Sequence, residues 1–199
     1  MLTHTDLVQA VRIARASIEI NLGRKNIPFP EIPDVFDRKS GVFVTLNRYP
    51  GKELRGCIGF PEPIMELKKA IPEAAISAAT KDPRFPKVTL KEMDDIIIDV
   101  TVLTPPEKIG YESPEELPSL INIGEDGLIA RKGFMSGLLL PQVPVEWGWN
   151  AEEFLSHTCL KAGMTPDEWK RGTVSFEKFS GRVFGEKSPR GEIVEEEQT

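Results

Sequence analysis

Val42-Phe43-Val44-Thr45-Leu46, a turn through Pro50-Gly51, then Leu54-Arg55-Gly56-Cys57-Ile58-Gly59-Phe60: this stretch decides the fold. The first run is β-branched and aromatic, and the second returns after a proline–glycine turn. Together they read as a β-hairpin. After Pro63, well placed at a helix start, apolar and alanine positions run from Ile64 through Ala70, Ala74, Ala75 and Ala78. Pro72 interrupts them, so two short helices or one kinked helix are expected. Thr89 and Glu92 form a capping box for a brief helix. Ile96 to Leu103 is an almost wholly apolar strand, expected to be buried on both faces.

The same order recurs downstream. Strands are expected over Gly127–Ala130 and Ser136–Leu140, with an Asp126-Gly127 turn before them. Asn150 with Glu153 caps a helix that runs to Ala162 and stops at Gly163. Thr165-Pro166-Asp167-Glu168 leads to Trp169, and a last strand covers Val174 to Phe184. Upstream, Leu7, Val11, Ala14, Ile18 and Leu22 share one helical face, with Thr3 or Thr5 as cap and Gly23 as stop. The prolines from Pro28 to Pro33 mark a surface connector. The result is an α+β fold with a mixed or antiparallel sheet and an internal duplication of a hairpin–helix–strand unit. Residues 1–184 form the domain. The segment 185–199, rich in Glu and poor in apolar residues, is expected to be a disordered acidic tail.

Composition narrows the function classes. The 199 residues are 40% hydrophobic and 28% charged, which suits a globular chain with its own core. A net charge of −6 argues against nucleic acid and anionic lipid. No apolar run approaches 18 residues and no signal peptide opens the chain, so a cytoplasmic protein with no membrane span is expected. A structural zinc site would need all of Cys57, Cys159, His4 and His157, which are scattered, so no metal and no cofactor are expected. Both cysteines read as free thiols of a reducing compartment.

Three clusters carry groups suited to chemistry. Cys57 lies between two glycines and two residues after Arg55, and strand alternation would put both side chains on one face. A guanidinium beside a thiol stabilises the thiolate, so Cys57 and Arg55 are the candidate catalytic residues. Gly56 and Gly59 lack side chains and would let a ligand, or another backbone, approach closely. Asp82-Pro83-Arg84-Phe85-Pro86 is a rigid loop with one carboxylate and one guanidinium. These would bind a polar group, or else cap local backbone and pair with each other. Leu140 to Trp149 reads as a loop offering Gln142, Glu146, Trp147 and Trp149, a mixture that suits a small polar molecule or a core plug. His157 and Cys159 do not share a helix face.

These motifs together resemble the AMMECR-one family. The likeness rests on Leu54-Arg55-Gly56-Cys57-Ile58-Gly59, Asp82-Pro83-Arg84-Phe85, Leu140-Pro141-Gln142-Val143 with Glu146 and Trp149, and Lys161-Ala162-Gly163, in order across roughly residues 5 to 184. The resemblance implies an α+β fold of two unequal lobes with a cleft. It implies a family of unsettled activity that stands beside Memo-like and radical-SAM proteins, with the hexapeptide around Cys57 as its site. Two readings follow. In one, the chain is an enzyme or enzyme subunit using Cys57 and Arg55, with Gly56, Gly59, Asp82, Arg84, Gln142, Glu146 and Trp149 lining the place of an unknown small molecule. In the other, it is a non-catalytic adaptor that docks a protein partner through Trp147 and Trp149, with RNA as a weaker third.

Overall fold

The structure is a computed structural model that describes residues 2–196. Among them are four α-helices: α1 His4–Asn21, α2 Leu67–Thr80, α3 Gln142–Trp147 and α4 Ala151–Lys161. The strands are β1 Val42–Arg48, β2 Glu53–Phe60, β3 Ile96–Leu103, β4 Glu107–Lys108, β5 Gly127–Lys132, β6 Met135–Leu139, β7 Ser175–Phe179, β8 Gly181–Glu186 and β9 Ile193–Glu196. They form two sheets, ordered β2-β1-β3-β8-β9 and β4-β7-β5-β6, so the fold is α+β. No helix among the described residues is long and apolar enough to cross a membrane. The chain divides into two units: residues up to Leu103 with the segment from Arg182, and Thr104–Gly181.

In the first unit, β1 pairs antiparallel with both β2 and β3. Val42, Val44 and Leu46 of β1 and Ile96, Ile98 and Val100 of β3 alternate onto one sheet face. There they meet Leu7, Val11 and Ile18 of α1 and Ile71, Ala74 and Ala78 of α2. Helix α1 starts at Thr3, whose side chain caps Asp6 in a reciprocal capping box. Helix α2 runs unbroken through Pro72, beginning at Leu67 and not at Ile64. Buried Arg15 of α1 grips Glu186 of β8 with two N–O bonds of 2.5 Å and donates to the carbonyls of Met93 and Ile96. One guanidinium thus ties α1, β3 and β8 together.

In the second unit, β5 pairs antiparallel with β6 and β7 over a core of Leu128, Ala130, Phe154, Leu155, Cys159, Trp169 and Phe176. The hairpin–helix–strand order recurs, and in both sheets the strand after the helix pairs with the first strand of the hairpin. A finer echo lies in the second strand of each hairpin. A Cβ on Gly56 would stand 2.3 Å from the Ala78 carbonyl oxygen near the end of α2. One on Gly137 would stand 2.3 Å from the Ala162 nitrogen at the end of α4. Each glycine lets a helix end lie against its strand.

Three further expectations change. The run Val174–Phe184 is not one strand. It is split at Ser180 into β7 and β8, which belong to different sheets. The segment from Leu140 to Trp149 holds the short helix α3, closed by Gly148 in the left-handed conformation (φ 66°). In place of a disordered tail from residue 185, Gly185 and Glu186 finish β8, and Ile193–Glu196 pairs with it as β9. Its charged residues find partners there, Glu195 with Arg182 and Glu196 with Lys52. Residues 197–199 lie outside the described residues.

Candidate functional site

Strand β2 is an edge of the first sheet, and an edge leaves backbone donors and acceptors open. At Cys57 they are taken by side chains. The Cys57 N–H donates to Asp82 Oδ2 at 2.8 Å, and Arg84 Nη2 lies 3.5 Å from the Cys57 carbonyl oxygen. The carboxylate and guanidinium of the loop after α2 therefore do what a neighbouring strand would do. Arg84 also donates to Asp82 through its backbone N–H (3.1 Å), Nε (3.0 Å) and Nη2 (2.8 Å). Asp82 is 5% exposed and accepts all four of these bonds. The Arg84 bonds, first, and the backbone N–H groups hold its carboxyl far below the usual carboxylate range against the cost of burial.

The Cys57 backbone groups point outward, so Cys57 and its β1 partner Thr45 form a non-hydrogen-bonded pair, the kind whose side chains come closest. Accordingly Thr45 Oγ1 donates to Cys57 Sγ at 3.2 Å. The thiol is half-buried. Cys159 is fully buried on α4, and burial pushes its thiol up to about 11. In the second unit the residue after the matching glycine is Leu138, so only the first hairpin carries a thiol there.

Arg55 is not beside the thiol by strand alternation. Leu46 pairs with Gly56 but Asn47 pairs with Leu54, so Arg55 is the extra residue of a β-bulge, which breaks the two-residue period. Its guanidinium is 3% exposed, donates to Glu92 Oε1 at 3.0 Å and lies 5.9 Å from the centre of the Phe85 ring. The tuning role expected of it is corrected. The guanidinium that reaches Cys57 is that of Arg84, raised chiefly by its bond to Asp82. At Gly56 and Gly59 it is another backbone that approaches, and the ligand-lining role is corrected. The space at Gly56 is filled by the Ala78 backbone, and that at Gly59 by the Phe43 ring and the Val42 carbonyl, each within 2.4 Å of a built Cβ. Neither leaves room for a ligand.

On the same sheet face as Thr45 and Cys57 stands Asp99, paired with Thr45 across β1 and β3. It is 8% exposed. Its Oδ2 accepts from Asn47 Nδ2 at 2.7 Å, while its buried Oδ1 has no partner. That oxygen occupies the position a side chain at Gly185 would need, with Glu196 Oε1 nearby. Burial, with Glu196 adding to it, pushes Asp99 up to about 7. Sequence reading passed over Asp99, although a lone acid inside Ile96–Leu103 was the signal. Thr45 and Asn47 carried none.

Gln142, Glu146, Trp147 and Trp149 lie in the second unit. Gln142 and Glu146 are exposed on α3. Trp147, 70% exposed, stacks on Trp149 with ring centres 6.0 Å apart, and Trp149 stacks on His157 at 3.7 Å, within 2° of parallel. His157 is thus held by an indole in its own unit.

Comparison with known proteins agrees with this architecture. The model of the AMMECR1 family matches residues 11–184. Protein MJ0810 of Methanocaldococcus jannaschii is 56% identical over 195 residues, which is 98% of this chain and 97% of that protein. A protein of Thermofilum pendens is 47% identical over 195 residues, 93% of this chain and 92% of its own. The crystal structure of uncharacterized protein PH0010 from Pyrococcus horikoshii superposes with a TM-score of 0.78 at 50% identity, covering 98% of both chains.

Proposed function

This chain belongs to the AMMECR1 family, and we propose that it is an enzyme or enzyme subunit whose working group is the Cys57 thiol. One observation carries the reading. A half-buried thiol sits on an edge strand whose backbone is locked at that residue by Asp82 and Arg84, while Thr45 donates to the sulfur. A cysteine kept for packing needs no carboxylate and guanidinium to lock its backbone at a sheet edge.

The arrangement suits a nucleophile or acceptor thiol. The thiol proton leaves to solvent, the sulfur attacks an electrophilic carbon of a small molecule, and an S–C bond forms as the leaving group departs with its electron pair. Asp82 fixes the backbone under the sulfur and is a positioning residue, since its lone pairs are consumed. An acceptor thiol receives a group made elsewhere, which fits the Memo-like and radical-SAM partners that the resemblance implies. A second reading is favoured by Trp147. An indole so exposed, backed by Trp149 and His157, is the kind of anchor a protein partner covers, and it supports an adaptor role.

Melting temperatures of Cys57→Ser and Cys159→Ser test the first reading. At position 159 the hydroxyl enters a closed core and costs about 1–3 kcal/mol, or about 2–4 °C per kcal/mol for a chain of this size. At position 57 the hydroxyl keeps Thr45 as its partner, so the change should stay within about 0.5 kcal/mol and melting should move by no more than about 1–2 °C. A Cys57→Ser variant that falls as far as Cys159→Ser would make Cys57 a packing residue and leave the adaptor role as the better account.

A further inference from the structure

We propose that the Cys57 site takes an anionic electrophile, a substrate whose carboxylate or phosphate group lies against the outward side of the Arg84 guanidinium. This rests on the reading of Cys57 as a nucleophile and names the substrate class of that site.

Three observations carry it. The Asp82–Arg84 pair is oriented, with the carboxylate sealed inside and the Arg84 side chain 54% exposed. A pair buried at its negative end and open at its positive end presents a cation to whatever approaches the thiol. Next, the guanidinium is held in place before any ligand arrives. Nε and Nη2 fork onto one carboxylate, its carbon lies 5.5 Å from the centre of the Phe85 ring, and Nη2 reaches the Cys57 carbonyl. Such pre-ordering removes the entropy cost that a free arginine would charge to binding.

Last, the exposed charged residues in and beside the loop are all cationic. Lys81 and Lys87 flank the loop and are exposed, Asp82 is the sole acid between them, and the Glu92 carboxylate is engaged by Arg55. In a chain of net charge −6, anions are repelled overall, so a local cation beside the thiol selects for them. Closing a sheet edge alone would not require so exposed a guanidinium. In the reaction the sulfur–carbon bond forms and the leaving group departs with the bonding pair. The thiol proton has already gone to solvent, and the anionic group stays paired with Arg84 throughout.

Two alkylating reagents of nearly equal size test this, iodoacetate (anionic) and iodoacetamide (neutral). Each forms an S–C bond at Cys57 and releases iodide, and peptide mass spectrometry reads the rate at each cysteine. The quantity is the iodoacetate-to-iodoacetamide rate ratio at Cys57 in the native chain, divided by the same ratio in urea. It should exceed one by about three- to tenfold at low salt, as a nearby unit charge in a partly wet site produces. It should fall toward one as added NaCl shortens the Debye length to a few Å. Arg84→Gln should abolish the preference and Arg84→Lys should keep most of it. A native ratio no higher than the unfolded one, with both reagents reacting readily, overturns the anion inference and leaves Cys57 a nucleophile. Failure of both reagents to label native Cys57 overturns that reading and the inference with it. Should Arg84→Gln fold poorly, the wild-type salt series and Arg84→Lys decide.

Discussion

Replacing Asp99 by Asn should stabilise this protein, and more so at higher pH. Asp99 sits in a buried row between Thr45 and Gly185, with one carboxylate oxygen bonded to Asn47 and the other unpaired. The charged groups around it are Glu196 and Glu186, which oppose its ionisation, and Lys52, which favours it. Burial, the largest influence, carries it from the ordinary 3.8 up to about 7. The folded chain therefore keeps a proton that the unfolded chain has released between those values. Stability from this group is present below pH 3.8 and is lost as pH rises through about 7. The full loss corresponds to about 4 kcal/mol, since each pH unit of difference is about 1.4 kcal/mol. An Asn is the same size and cannot ionise. Its carbonyl can accept from Asn47, and its amide places a donor where the unpaired oxygen faces Glu196. Urea unfolding at pH 5 and pH 8 reads the effect. The Asn variant's advantage should be about 2–3 kcal/mol larger at pH 8 than at pH 5. An equal advantage at both pH values, or a wild type that is the more stable at pH 8, would refute the reasoning.

Other substitutions probe the frame around Cys57. Asp82→Ala strands the Cys57 N–H and frees Arg84, and should cost about 2–4 kcal/mol in urea unfolding. Because Asp82 is held below its ordinary 3.8, its stabilisation is complete above pH 4 and is lost as pH falls further. The wild type should thus lose part of its advantage over Asp82→Ala in acid. Gly56→Ala drives a methyl to 2.3 Å from the Ala78 carbonyl, a backbone atom that cannot swing aside, and should lower stability by about 3 kcal/mol or more. Arg55→Ala empties a buried ion-pair position and should cost about 1–3 kcal/mol while leaving the Cys57 alkylation rate unchanged. A slower rate would restore Arg55 as the residue that tunes the thiol.

What could be read from the sequence was what is locally encoded. The hairpin of β1 and β2, the Thr89–Glu92 and Asn150–Glu153 capping boxes, and the apolar strand β3 all follow from periodicity and cap chemistry within a few residues. Helix α3 was hidden because Pro141 and Pro144 read as loop, yet Gly148 was a legible stop. The break at Ser180 carries no local mark, because strand-forming residues continue on both sides and only the pairing partners change. The same is true of the site. Cys57, Asp82 and Arg84 stood out by residue type and do meet, and of the two roles open to Asp82 and Arg84 the structure shows the pairing and backbone capping. The bulge that removes Arg55 from the thiol's face is a property of register between two strands. That Gly56 and Gly59 are filled by Ala78 and Phe43 depends on contacts 16 or more residues away in the chain. Asp99 was visible as a lone acid in an apolar run, but its pairing with Thr45 and its unpaired oxygen belong to the folded sheet alone.

The central claim is that the structure holds Cys57 open for reaction while it packs Cys159 away. The most direct measurement is the iodoacetamide labelling rate of each cysteine in the native wild-type chain between pH 7 and 9, resolved by peptide mass spectrometry. Cys57 is half-buried, with a hydroxyl donor on its sulfur. Cys159 is closed in a core where burial pushes its thiol up to about 11. Across this range Cys57 should label at least about a hundredfold faster, since at pH 8 or 9 a thiol at 11 is ionised to only about one part in a hundred to a thousand even before its burial is counted. Equal rates, or faster labelling of Cys159, would contradict the account.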